Sequence, residues 1–207
     1  MFSFKFNLFF HFTFIASLLF IISCKGDIVD IPPGNDPNFT ITTHSDQGFS
    51  TTNRKVSVFG VDIYAVPEVN DDKLLHAANV LAQYLDNNED GNVDNNQVHD
   101  KMIENKAFII MWKDDNDLDI DPPYDRIGQD LGDDETNPNF VINNRQGQFD
   151  ATLEEIWHII SHSGYAYAYP YIFGENPGTS LTNAMDIARG GFFTSIPNSY
   201  PSNAWYT

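Results

Sequence analysis

The chain has 207 residues, with 29 Asp and Glu against 11 Lys and Arg, for a formal net charge of −18 at pH 7. That balance repels phosphate, so it excludes nucleic acid and anionic membrane surfaces as partners and favours cations. A single cysteine excludes a disulfide framework and leaves a hydrophobic core and bound ions to hold the fold.

Residues 1–23 hold one charge, Lys5, and a dense run of Phe, Leu and Ile that ends at Leu19-Phe20-Ile21-Ile22-Ser23-Cys24. The pattern predicts a secretory signal peptide. Its length approaches the roughly 20 residues of a membrane helix, which is the alternative. The sole cysteine follows a small residue at the end of the apolar run, and this resembles the lipobox of bacterial lipoproteins. The resemblance implies that Cys24 becomes the lipidated first residue of an exported chain, held by lipid at the outer membrane or cell surface. Lys25-Gly26-Asp27 resembles the export signals of surface lipoproteins. Residues 24–55 are rich in Asp, Gly, Pro, Thr, Ser and Asn without a sustained period and read as the lipid anchor and a flexible tether. What remains, 56–207, has the length of one domain of about 150 residues.

Val56–Val66 is β-branched and aromatic, predicting one strand or a pair. Lys73–Leu85 places Leu74, Ala77, Ala78, Leu81 and Leu85 on one helical face. His76 lies within that stripe and reads as a hydrogen-bonded core histidine. A second, shorter helix is expected over Gln97–Asn105, carrying Val98, Met102 and Ile103, with His99 at its surface.

Between the two helices runs Asp86-Asn87-Asn88-Glu89-Asp90-Gly91-Asn92-Val93-Asp94-Asn95-Asn96-Gln97. Oxygen-bearing side chains stand at positions 1, 3, 5, 9 and 12 around a glycine at 6. Ca²⁺ takes six to eight oxygens at about 2.3–2.6 Å, which needs alternate residues pointing inward around a sharp turn. The spacing resembles an EF-hand or dockerin-type calcium loop. It implies Asp86, Asn88 and Asp90 as side-chain ligands, a carbonyl from Asn92, Val93 turned to the core, and Asp94 bound directly or through water. Gln97 replaces the bidentate glutamate at position 12, so weaker binding is expected, in the range of extracellular modules. The plain alternative is a solvated Asp/Asn/Gly turn.

Ala107–Trp112 has the length and apolarity of a buried strand, and Phe140–Ile142 is a further strand candidate. Between them, Asp114–Asp121 alternates carboxylates but lacks a turn glycine, and it reads as a solvated acidic loop. Asp150 or Thr152 can cap a helix from Leu153 to about Ser163, stopped by Gly164. Ser180–Arg189 is another helix, ended by Gly190-Gly191. Strands and helices without regular alternation predict a single α+β domain containing a helix-loop-helix. There is no internal repeat.

The helix around Glu154-Glu155-Ile156-Trp157-His158-Ile159-Ile160-Ser161-His162 carries two histidines four apart, on one face and about 6 Å apart along the axis. With Glu154 one turn earlier, His158 and His162 can hold Zn²⁺ or another transition metal and leave a position for water. The pattern resembles the metallopeptidase helix H-E-x-x-H, except that Ile159 stands where the general-base glutamate belongs. A packed helix with hydrogen-bonded histidines is the alternative. Glu155-x-x-His158 also resembles the helices of di-iron bundles, which need a second such motif. No nucleophile elbow or phosphate-cradling loop is present. The tyrosines at 165, 167, 169 and 171, with Trp205 and Tyr206, suit either a core or a sugar-stacking face. The aromatic end Tyr200–Thr207 is unlike a frayed polar terminus and is expected of a fragment of a longer protein.

Three functions follow as expectations. The first is a calcium-binding, lipid-anchored envelope protein with structural Ca²⁺. The second is a metal-dependent hydrolase built on the His158/His162 helix. The third is an extracellular module that recognises a glycan or protein.

Overall fold

The computed structural model describes residues 39–140, 142–144 and 147–191. The signal segment, Cys24 and the aromatic end with Trp205 lie outside the described residues. The fold is α+β. A five-stranded sheet has the order β1 (Thr42–Thr43), β2 (Arg54–Val58), β3 (Val61–Ala65), β4 (Phe108–Trp112) and β5 (Gly128–Gly132). β2 and β3 are an antiparallel hairpin with Val58 opposite Val61. Phe59 and Gly60 between them both have positive φ, 48° and 87°, the two-residue turn whose twist matches that of the strands. β3, β4 and β5 run parallel.

Alternation along the strands separates two faces. Val56, Val61, Ile63, Ala65, Ile109 and Met111 belong to the main core, with Leu74, Ala77, Ala78, Leu81 and Leu85 of α1 (Asp71–Leu85), Val98 and Met102 of α2 (Asn96–Glu104), and Ile156, Ile159 and Ile160 of α3 (Thr152–Ile160). The five residues expected on the buried stripe of α1 are the five buried there. On the opposite face Phe49, Tyr64, Phe108 and Ile110 form a smaller core covered by Leu118 and Ile120.

The connection from β3 to β4 passes through α1 and α2 on the first face, whereas that from β4 to β5 crosses the second. Both step the same way across the sheet, so the two connections have opposite hands. One of them therefore departs from the right-handed rule for parallel crossovers. The acidic stretch Asp114–Asp121 lies in this second crossover. It is a 3-10 helix, Asp115–Leu118, closed by reciprocal bonds between Asp114 and Asp117, with its apolar residues turned to the sheet rather than a wholly solvated loop.

Four expectations need correction. The fold begins before residue 56: β1 pairs with β2, and Phe49, 1% exposed, stacks on Tyr64 at 3.9 Å. Isolated apolar residues in a polar stretch carry no period, so burial of this segment is invisible until the sheet exists. Phe140 and Ile142 lie in turns, not a strand; Asn137, Asn139, Asn143 and Asn144 surround them, and Phe140 packs edge-on to Phe149. β5 was not anticipated because Gly-Gln-Asp-Leu-Gly offers one apolar side chain. Gly164 does not stop a helix: the chain continues from α3 through a π-helical turn, Ser161–Tyr165, into α4 (Ala166–Ala168) and α5 (Pro170–Phe173). The last helix, α6, spans Ser180–Gly191 and includes the glycines expected to end it. No described helix is long and apolar enough to cross a membrane.

Candidate functional site

The loop from Asp86 joins α1 to α2 as a helix-loop-helix. Asp86 is the C-cap residue of α1, 7% exposed. Its Oδ2 accepts from the Gly91 N–H at 2.7 Å and its Oδ1 from the Asp90 N–H at 3.1 Å. Gly91 reaches φ 85° there, a conformation that costs glycine nothing. Asn88 Oδ1 accepts from Asp90, Asp90 Oδ1 from Asn92, and Asp94 Oδ2 from Asn87. The Asp94 N–H bonds back to the Leu85 carbonyl at 2.8 Å, which closes the loop onto the end of α1. Val93 packs against the main core. Asn95 accepts from the Val98 N–H and so caps α2, and Gln97 is exposed in the first turn of that helix.

Asp86, Glu89, Asp90 and Asp94 are gathered in the ten residues that follow the C-terminal end of α1, whose last turn holds no basic residue. None of the four carboxylates is ion-paired with a described residue. Among the described residues no three His, Cys, Asp or Glu side chains stand as a ready metal cage. A cation here would draw on the amide oxygens of Asn88 and Gln97 and on backbone carbonyls as well as on carboxylates.

The histidine pair sits across the α3 to π-turn junction. His158 Nδ1 is 3.1 Å from Glu155 Oε2, and His162 Nδ1 is 2.5 Å from Glu175 Oε1. The carboxylate partnering His158 is thus Glu155, whereas Glu154 lies exposed on α3. Glu155 also accepts from Gln129 Nε2 of β5 at 2.6 Å. Burial pushes its carboxyl up, against the pull of His158; the Glu175 hydrogen bond raises His162 against its own burial. Ile159, where a metallopeptidase would place its base, is 1% exposed in the core. Glu175 was not foreseen, because nothing in a 13-residue separation signals that a loop folds back on the helix.

His76 is hydrogen-bonded, as its place in an apolar stripe suggested. Its Nε2 is 2.8 Å from Asp150 Oδ2, and Asp150 also accepts from the N–H of Asn137 and from that of Thr152 at the start of α3. His99, expected at the surface, is partly buried and bonds the Phe59 carbonyl at 2.7 Å.

Tyr84 of α1, Trp157 of α3, Tyr165 of the π turn, and Tyr169 and Phe173 beyond it form a continuous aromatic row with centroid spacings of 5.1–6.3 Å. Tyr84, Trp157 and Phe173 are exposed. Tyr167 and Tyr171 are also exposed, and neither has a ring contact with the row among those of the described residues. Tyr169 OH lies 3.3 Å from both side-chain polar atoms of Asn95, which ties the row to the loop. No protein-family model, curated protein or solved structure matches the chain.

Proposed function

We propose that this is a calcium-binding, lipid-anchored protein of the bacterial cell envelope, in which the loop Asp86–Gln97 takes a structural Ca²⁺ that ties α1 to α2. One observation carries the reading. Four carboxylates follow the negative end of α1 without a described counter-cation, and one of them, Asp86, is buried. Helix dipole and mutual repulsion both disfavour that arrangement, and a divalent cation reverses the sign of both terms. A purely solvated turn would suit Glu89, which is exposed; Asp86 is instead buried, with the Asp90 and Gly91 N–H groups on its carboxylate but no positive charge beside it. With Gln97 neutral, the expected affinity is that of extracellular calcium modules, about 10⁻⁴–10⁻³ M. The lipid anchor rests on the resemblance of the segment ending in Cys24 to a lipobox.

The test is thermal unfolding with Ca²⁺ and with chelator. At ten times Kd, binding to the folded state alone stabilises by about 1.4 kcal/mol, a rise of about 3–6 °C in Tm for a domain of this size. Asp86→Ala and Asp90→Ala should abolish the rise; an equal rise in both variants overturns the assignment.

A second reading, extracellular recognition of a glycan, is favoured by the aromatic row, since half-exposed rings stack on the apolar faces of sugars. Trp157 fluorescence should then respond to oligosaccharides, and Tyr84→Ala should weaken that response.

A further inference from the structure

The two ring nitrogens of each histidine on the α3 face serve different ends. In both His158 and His162 it is Nδ1 that meets a carboxylate, Glu155 in one case and Glu175 in the other. An ionised carboxylate only accepts, so Nδ1 carries the proton, and in the neutral imidazole the lone pair sits on Nε2. Neither Nε2 has a hydrogen-bond partner among the described residues, and the two side chains are 41% and 45% exposed.

We infer that His158 and His162 form a binding site for a borderline divalent transition-metal ion such as Zn²⁺, through their Nε2 atoms, with Glu155 and Glu175 as orienting partners rather than ligands. Metal-bound histidines commonly donate their other ring N–H to a carboxylate, which fixes the tautomer and makes the ligand nitrogen more basic. Here both histidines have such a partner, from two different segments. Glu155 is itself held by Gln129 of the neighbouring strand, so the outer partner on that side is built into the sheet. The second histidine lies in the π-helical turn, a backbone distortion that occurs frequently at functional sites. Two ordinary surface ion pairs would each contribute little, about 0–1 kcal/mol, and would give no reason for both rings to turn the same nitrogen inward. Two imidazoles would leave the remaining coordination positions to water.

This site is independent of the calcium loop, and the experiment keeps the two apart. The detergent-solubilised full chain is titrated with Zn²⁺ against a chromophoric chelator while Ca²⁺ is held in excess. One Zn²⁺ per chain is expected. His158→Ala and His162→Ala should each weaken it at least about tenfold, and Glu175→Gln, which keeps both ligands, by about tenfold. Long-range ¹H–¹⁵N spectra of the metal-free chain should show both rings protonated at Nδ1, a readout that survives even if a variant fails to fold. Absence of stoichiometric Zn²⁺ uptake, uptake unchanged in the double histidine variant, or rings protonated at Nε2 would each overturn the inference. Loss of Zn²⁺ binding with an intact Ca²⁺ response would leave the calcium reading standing.

Discussion

Asp133, 2% exposed, follows β5 and joins it to α1 and β4: its carboxylate accepts from Lys113 and lies 3.1 Å from Lys73. One oxygen, Oδ1, has no partner among the described residues. Burial pushes this carboxyl up, but the hydrogen bonds from Lys113 and Lys73 outweigh it and hold the group below the ordinary range. Asp150 behaves alike: burial is outweighed by the bonds from His76, Thr152 and the Asn137 backbone. A carboxyl with a depressed folded value stabilises fully above its unfolded pKa of about 3.9, and that stability is lost as pH falls through the folded value. The share of the urea midpoint that these two carboxyls supply should therefore be level from pH 7 to 5 and fall below about pH 4, whereas His162, raised by Glu175, adds stability as pH falls from 7 toward its unfolded value. Asp133→Asn should flatten that fall and cost about 1 kcal/mol at pH 7, since Lys113 is half exposed and solvent screens that arm of the pair; a variant that tracks the native chain at both pH values would remove this role. In the loop the sign is opposite. With chelator present, Asp90→Asn relieves uncompensated charge beside Asp86 at the end of α1 while keeping an acceptor for the Asn92 N–H, and should raise stability by about 0.5 kcal/mol.

Between elements, the π-helical turn and α2 are fitted to each other. A Cβ on Gly164 would lie 2.7 Å from Val98 Cγ1, 3.0 Å from Met102 Cγ and 3.2 Å from the Val98 carbonyl, so α2 approaches only because no side chain intervenes. Asn105, which follows α2, donates to the Ser163 carbonyl at 2.8 Å, and Ser163 Oγ donates to the Ile159 carbonyl at 2.5 Å. Gly164→Val should cost about 1–3 kcal/mol by overpacking, read as a lower urea midpoint. Since α2 also bears the Asn95 cap, which contacts Tyr169, strain at Gly164 should also be felt in the loop Asp86–Gln97. Hydrogen exchange of the amides in 96–104 is the direct probe: protection should fall when calcium is chelated, and further in the variant.

At the scale of the molecule, the proposed anchor and the net charge bear on one another. A net charge of −18 opposes adsorption to anionic lipid, so on the proposed lipoprotein reading attachment would depend on covalent lipid, at about 0.8 kcal/mol per buried CH₂. Cys24→Ser should abolish incorporation of labelled palmitate and move the protein from the detergent phase to the aqueous phase. A variant that retained label and partitioning would end the lipoprotein reading. The two crossovers of opposite hand place the acidic 3-10 segment over Phe49 and Tyr64 on the second face. There Arg126 stacks 4.8 Å from the Phe49 and Phe108 rings, while Lys55 bridges Asp46 and Asp62. Burial, opposed by Arg126, raises Tyr64 to about 12.

Elements with a strong local period were legible from residues alone. The five-residue stripe of α1, the apolar run of β4 and the glycine turn between two helices follow, in turn, from side chains repeating at 3.6, from an unbroken apolar run of strand length, and from oxygen-bearing residues at alternate positions around a glycine. The histidine pair was visible for the same reason, as a face of one helix. What sequence could not supply were the contacts between segments: Phe49 beneath a sheet it precedes, Gly-Gln-Asp-Leu-Gly as a strand, Glu175 against His162, Asp150 against His76. These rest on backbone pairing and on single side chains meeting across 13 to 74 residues, and such meetings leave no period in the chain. Local pattern thus determined the helices and the candidate ligands, while tertiary packing alone decided where the fold begins, which glutamate each histidine faces, and why the chain runs on past Gly164.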